Sequence, residues 1–174
     1  MFVLGHLGMG LELARPFRRG LPVKPLLLGT LLPDLVDKPL YYGMSWATGR
    51  RGYDIGLISG TRTLGHTILF TAAVAAYAAA RRSKAAAAVA LGCATHLILD
   101  GVTDVFVRRA DFSFSVFAWP LLGWRFPGYM YDGIGEHLGE FRQPFFLYAE
   151  LIGALCLFVE WYGARRQGRR ALRG

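Results

Sequence analysis

His96 and Asp100 stand four residues apart inside the apolar run 85–107, so on a helix they project from one face about one turn apart, the spacing of a ligand pair. Ionisable groups in such surroundings are costly unless they pair or bind a metal, which makes them a functional signal by default. Partners of matching chemistry lie elsewhere in the chain: His6, the pair Asp34 and Asp37 after Pro33, and His66 in Arg62-Thr63-Leu64-Gly65-His66. Mixed imidazole and carboxylate ligation suits zinc, manganese or a two-metal centre. A catalytic ion would lower the pKa of a bound water toward ~7 and stabilise charge on an ester or phosphoryl oxygen. An unliganded carboxylate, Asp37 or Glu150, is then the expected general base. Arg62, one turn before His66, has the planar fork that holds a phosphate or orients a carboxylate.

Each residue also has a plainer reading. His6 could bond a helix-end carbonyl, Asp34 could mark a helix terminus with Asp37 capping the next turn, and His96 with Asp100 could be a structural hydrogen bond. Asp104, nearly two turns beyond His96, is expected to face water. Glu136, His137 and Glu140 are expected to form a solvated helix face.

The elements that must position these groups are apolar helices. Of 174 residues 53% are hydrophobic and 18% charged, with a mean hydropathy of +0.33, too apolar for an ordinary soluble enzyme and suited to a helical membrane protein. Residues 1–14 read as a short helix without the basic start of a cleavable signal peptide. Residues 25–32 form a second, covering only ~15 Å before Pro33. Residues 40–60 read as a loop with a short helix at 41–47. Residues 63–80 would reach ~27 Å, enough to span. A basic hairpin, Arg81-Arg82-Ser83-Lys84, leads into the run 85–107. An aromatic, Pro- and Gly-rich interfacial segment follows at 108–133, and Pro144 opens a last apolar helix to Tyr162, carrying Glu150 and Glu160. Cys93 and Cys156 both lie in apolar segments and read as buried free thiols.

If the segments cross in turn, one end gathers Arg15, Arg18, Arg19, Lys24, the hairpin and the arginine tail, 12 of 20 basic residues, with Arg50, Arg51, Arg108 and Arg109 opposite. The other end gathers His6, Asp34, Asp37, His66, Asp100 and Glu150, and the positive-inside rule puts that end on the non-cytoplasmic side. The net charge of +8 sits at the ends of apolar segments with no basic stripe interleaved with aromatics, which favours anionic lipid headgroups and excludes a nucleic-acid partner.

Taken in order, Gly5-His6, Leu31-Leu32-Pro33-Asp34-Leu35-Val36-Asp37-Lys38-Pro39, Arg62-Thr63-Leu64-Gly65-His66-Thr67, Thr95-His96-Leu97-Ile98-Leu99-Asp100 and Trp119-Pro120-Leu121 resemble the YdjM-type family of membrane-bound, metal-dependent hydrolases. The resemblance covers most of residues 1–127 and, more weakly, the last helix through Glu150. It implies an inner-membrane helical protein whose metal ligands are His6, Asp34, His66, His96 and Asp100, with Arg62 and Asp37 nearby. Where many members carry Pro-Asp-x-Asp-His, this chain has Pro-Asp-x-x-Asp-Lys, which removes one histidine ligand. The family is distantly similar to zinc-dependent phospholipase C proteins, and the substrate class rests on that analogy.

The expectation is an all-α, polytopic membrane protein: one domain over 1–174 with a basic tail at 164–174, about three full transmembrane helices and two shorter N-terminal ones around one polar site. The expected activity is hydrolysis of a lipid or amphiphilic phosphoester, with one or two divalent ions (zinc before manganese), Arg62 steadying the phosphate, and Asp37 or Glu150 as base. A ceramidase-like lipid amidase and a non-enzymatic metal- or proton-translocating protein are the alternatives. The expected location is the bacterial inner membrane; the oligomeric state is left open.

Overall fold

The structure, a computed structural model, describes residues 2–50, 52–105, 112–126 and 134–171. Arg51, Arg108 and Arg109 of the residues named above lie outside that set. Every regular element among the described residues is helical: α1 (Val3–Ala14), α2 (Val23–Thr48), α3 (Ile68–Arg81), α4 (Lys84–Thr103), α5 (Phe112–Phe117), α6 (Ile134–Gly139) and α7 (Pro144–Ala171), with short 3-10 turns at Gly52–Ile58, Leu64–His66 and Glu140–Arg142.

Helix α4 is the hub, packing on α1, α2 and α3, while α1 bridges to α7. Two close approaches permit this. A Cβ on Gly29 of α2 would overlap the Val89 carbonyl of α4, and one on Gly8 of α1 would overlap the Gly153 carbonyl of α7. Small residues let backbones meet where apolar side chains gain little from leaving a lipid-like environment. Leu11, Ala14, Leu26 and Ala88 form the core at one end, and Leu99 and Ala149 a second core toward the other.

The structure corrects the expected element lengths. Helix α2 does not stop at Pro33 but runs 26 residues through Pro33 and Pro39, absorbing residues 40–48 of the segment 40–60 expected to be a loop with a short helix. Each proline removes one ladder N–H, a loss that packed neighbours can offset. Helix α3 begins at Ile68 and not near Thr63, because Leu64–His66 is drawn into a 3-10 turn and Thr67 caps the helix by accepting from the Phe70 N–H at 2.9 Å. Among the described residues two helices, Lys84–Thr103 and Pro144–Arg166, are long and apolar enough to cross a membrane, fewer than the three expected; α1 and α3 are shorter apolar helices. Most of the α7 span is uncovered, with Leu151, Leu155 and Phe158 exposed. Cys93 is buried, Cys156 half-buried, and neither is in a disulfide.

Candidate metal centre

Four elements bring the donors together. Helix α1 supplies His6, α2 supplies Asp34 and Asp37, the turn before α3 supplies Arg62 and His66, and α4 supplies His96 and Asp100, with Asp104 as its C-cap. The turn is shaped by one carboxylate. Asp37, fully buried, accepts from the backbone N–H groups of Thr63 (2.7 Å), Gly65 (2.9 Å) and His66 (3.2 Å), and from the Thr63 hydroxyl (2.9 Å). It also accepts from His66 Nδ1 at 2.7 Å. A Cβ on Gly65 would press on the Pro33 carbonyl, so the turn lies directly against α2.

The ring orientations follow from these outer partners. A carbonyl oxygen only accepts, so His96 Nδ1, 2.7 Å from the Thr30 carbonyl, carries a proton; facing the Asp37 carboxylate, so does His66 Nδ1. In their neutral forms both rings therefore turn an Nε2 lone pair inward, and the two Nε2 atoms are 3.1 Å apart. Carboxylate oxygens crowd the same point. Asp34 Oδ1 is 3.5 Å from His66 Nε2 and 4.0 Å from His96 Nε2, and Asp100 Oδ2 is 3.5 and 3.6 Å from the same two atoms. His6 stacks on His96 with ring centroids 3.9 Å apart and places Nε2 3.4 Å from Asp100 Oδ1.

Acceptors facing acceptors at this range repel unless a proton or a metal cation lies between them. The spacing suits a metal: bonds of 2.0–2.1 Å to a tetrahedral zinc give donor separations of about 3.3 Å. Among the described residues two donor sets meet the distance requirement, His6 with His96 and Asp100, and Asp34 with His66 and His96. His96 belongs to both, and the two oxygens of Asp100 face the two sides, so the cluster has donors for one ion or a bridged pair. Charge points the same way. Four carboxylates, Asp34, Asp37, Asp100 and Asp104, meet two permanent cations, Lys38 and Arg62, leaving a deficit of the size a divalent ion fills. The environment already draws positive charge onto His66: burial alone would lower its pKa, but hydrogen bonds to Asp100, Asp34 and Asp37 overcome that and lift it to about 10. Arg62 is likewise held charged, burial opposing and Asp100 and Asp104 prevailing.

All five expected ligands thus converge, whereas the three expected catalytic residues take other places. Arg62 donates to Asp100 Oδ2 at 3.0 Å and Asp104 Oδ2 at 2.6 Å, orienting a carboxylate instead of reaching outward to a phosphate. Asp37 is spent on the His66 turn, the supporting role that would fix a metal-binding imidazole. Glu150 accepts from the Leu4 and Gly5 N–H groups, both at 2.8 Å, closing the N-terminus of α1, which has no side-chain cap of its own. Asp104 does not face water: it is fully buried as the partner of Arg62. Along α6 no residue is buried, and His137 Nδ1 lies 2.9 Å from the Tyr42 hydroxyl.

Sequence reasoning passed over Lys38, whose Nζ lies 2.6 Å from Asp34 Oδ2. The four-residue step from Asp34 was its signal. Nothing in the sequence marks the Thr30 carbonyl, because any backbone oxygen could have served.

The family model described as YdjM inner membrane protein matches residues 1–166. No curated protein and no solved structure matches the chain.

Proposed function

The chain belongs to the YdjM inner membrane protein family, and from that premise we propose that it is a membrane-bound, metal-dependent hydrolase of a lipid or amphiphilic phosphoester. The observation that carries this reading is the inward convergence of three imidazoles and two carboxylates, with two of the rings locked by Asp37 and Thr30. A divalent ion there, zinc before manganese, would supply Lewis acidity toward a phosphoryl oxygen and make water a better nucleophile near neutral pH.

The remaining work falls to the chain's own groups. Arg62 holds Asp100 in its ligand orientation and offsets the charge of Asp104. Lys38, partly exposed beside Asp34, is the cation placed to meet a phosphate arriving from outside. Asp34 is more open than Asp37, Asp100 or Asp104, so it is the ligand nearest the side from which water and substrate arrive. The basic end of the bundle faces the cytoplasm and the site lies toward the other face of the membrane.

The test begins with metal. Purified wild type should carry stoichiometric zinc or manganese by elemental mass spectrometry, and His96→Ala with Asp100→Ala should lose it. The loaded protein should then release phosphate or a phosphorylated headgroup from lipid phosphoesters. No metal after reconstitution with either ion would overturn the mechanism, and release of fatty acid and amine would replace it with the amidase reading.

A further inference from the structure

At the basic end of the bundle, where α3 turns into α4, a groove of about 370 Å³ opens to the surface. Ala75 and Ala78 of α3 and Ala87 and Ala90 of α4 form its walls, and Leu21, between α1 and α2, closes a third side. One-carbon side chains on both helices leave this space between them. From Arg82 back to Ala75 the groove runs about 10 Å along the helix, and its hairpin end is lined by Arg82, Ser83 and Lys84. Lys84 lies twelve residues before His96, about 18 Å along α4, so the groove stands apart from the metal centre. Charge at the hairpin is unbalanced. The acids of the same end, Glu12 and Glu160, are engaged by Arg15 and Arg18, and the ion pairs among the described residues leave out Arg81, Arg82 and Lys84. Ser83 accepts from the Ala86 N–H at 3.2 Å, which leaves its own O–H to donate.

We propose that this groove binds one anionic phospholipid, its phosphate held by Arg82, Ser83 and Lys84 and one acyl chain lying along the alanines of α3 and α4. The polarity of the lining selects that occupant. It is cationic at the hairpin and apolar along the rest of its length, the order of head and tail in a lipid, and α4 is a candidate membrane span. A zwitterionic headgroup would bring its own ammonium to cations that already lack counter-charge. An acidic peptide would bring backbone N–H and C=O groups that alanine walls could not satisfy. The site is independent of the hydrolase reading, because it lies at the other end of α4 from His96 and Asp100.

The test counts bound lipids. Full-length protein in detergent is equilibrated with dioleoyl phosphatidylglycerol and dioleoyl phosphatidylcholine and examined by native mass spectrometry. Wild type should retain one phosphatidylglycerol per chain in preference to phosphatidylcholine. Arg82→Gly with Lys84→Gln should weaken that binding about thirtyfold, at roughly fivefold for each basic residue near an anionic headgroup, and Lys84→Gln alone about fivefold. Arg82 has a φ of +50°, a backbone that glycine adopts without penalty, so the double variant should melt no lower than wild type in lipid-free detergent. Arg165→Gln with Arg166→Gln removes the same charge from the basic tail and should leave the preference intact. Ala79→Leu, at an exposed position that lines the groove, should weaken retention by occupying the space of the chain. An equal loss in the tail variant would reduce the effect to general attraction and overturn the site. Undiminished retention in Ala79→Leu, or equal retention of the two lipids by wild type, would overturn it as well.

Discussion

At the scale of residues, the centre is a lesson in divided labour among like groups. Asp34 and Asp37 are one turn apart on α2, yet Asp34 points an oxygen at His66 Nε2 while Asp37 holds Nδ1 of the same ring. At the proposed centre one would be a ligand and the other its support. Substituting Asp37→Asn would put an amide where backbone N–H donors already crowd, and should weaken metal binding about 10–100-fold. Competition with a fluorescent chelator would measure this, and an unchanged affinity would remove Asp37 from the metal's support. Lys38→Met should behave oppositely, keeping the metal, since it frees an oxygen of Asp34, while raising KM for a phosphoester with kcat nearly kept. A fall in kcat alone would mean that Lys38 does not meet the substrate.

At the scale of elements, α1 is placed by contacts that do no chemistry. It carries His6, which must reach Asp100 on α4, and its N-terminus is closed by a carboxylate 145 residues away, from Glu150 to Gly5. Gly5 and Gly8 face α7 closely enough that added side chains would collide with Glu150 and with the Gly153 backbone. Thus α7 contributes no expected ligand but determines where a ligand helix begins. Glu150→Ala should cost about 1–3 kcal/mol by leaving two N–H groups unsatisfied, with Glu150→Gln in between. Thermal unfolding in detergent should show this order, and metal content should fall less than in the His96 variant. An unshifted melting curve for Glu150→Ala would show that the cap is dispensable.

At the scale of the whole molecule, charge is polarised along the bundle. The hairpin Arg81, Arg82 and Lys84 and the Arg18–Glu160 pair at 2.9 Å mark one end, and the donors mark the other. A cysteine placed by Ser83→Cys should resist a membrane-impermeant thiol reagent in intact cells and react once the inner membrane is opened. The native Cys93 and Cys156 lie within the candidate spans, so the added thiol dominates the signal. Ready labelling in intact cells would invert the orientation.

The sequence by itself determined the kind of protein and the inventory of its site. Apolar composition pointed to helices, and histidines with acids in apolar surroundings pointed to one polar site that could hold a cation. His96 and Asp100 were legible as a pair because helix periodicity sets which residues of one element share a face. Tertiary structure decided everything that depends on two elements meeting. Asp37 and Glu150 carry the same functional group as a general base, and only the approach of the His66 turn to α2 and of α1 to α7 assigns them to backbone N–H groups. Asp104 was misplaced in water because its partner, Arg62, is 42 residues away. The path of α2 through two prolines escaped prediction for the same reason: a local rule against proline in a helix yields when packing on a neighbour outweighs one lost hydrogen bond.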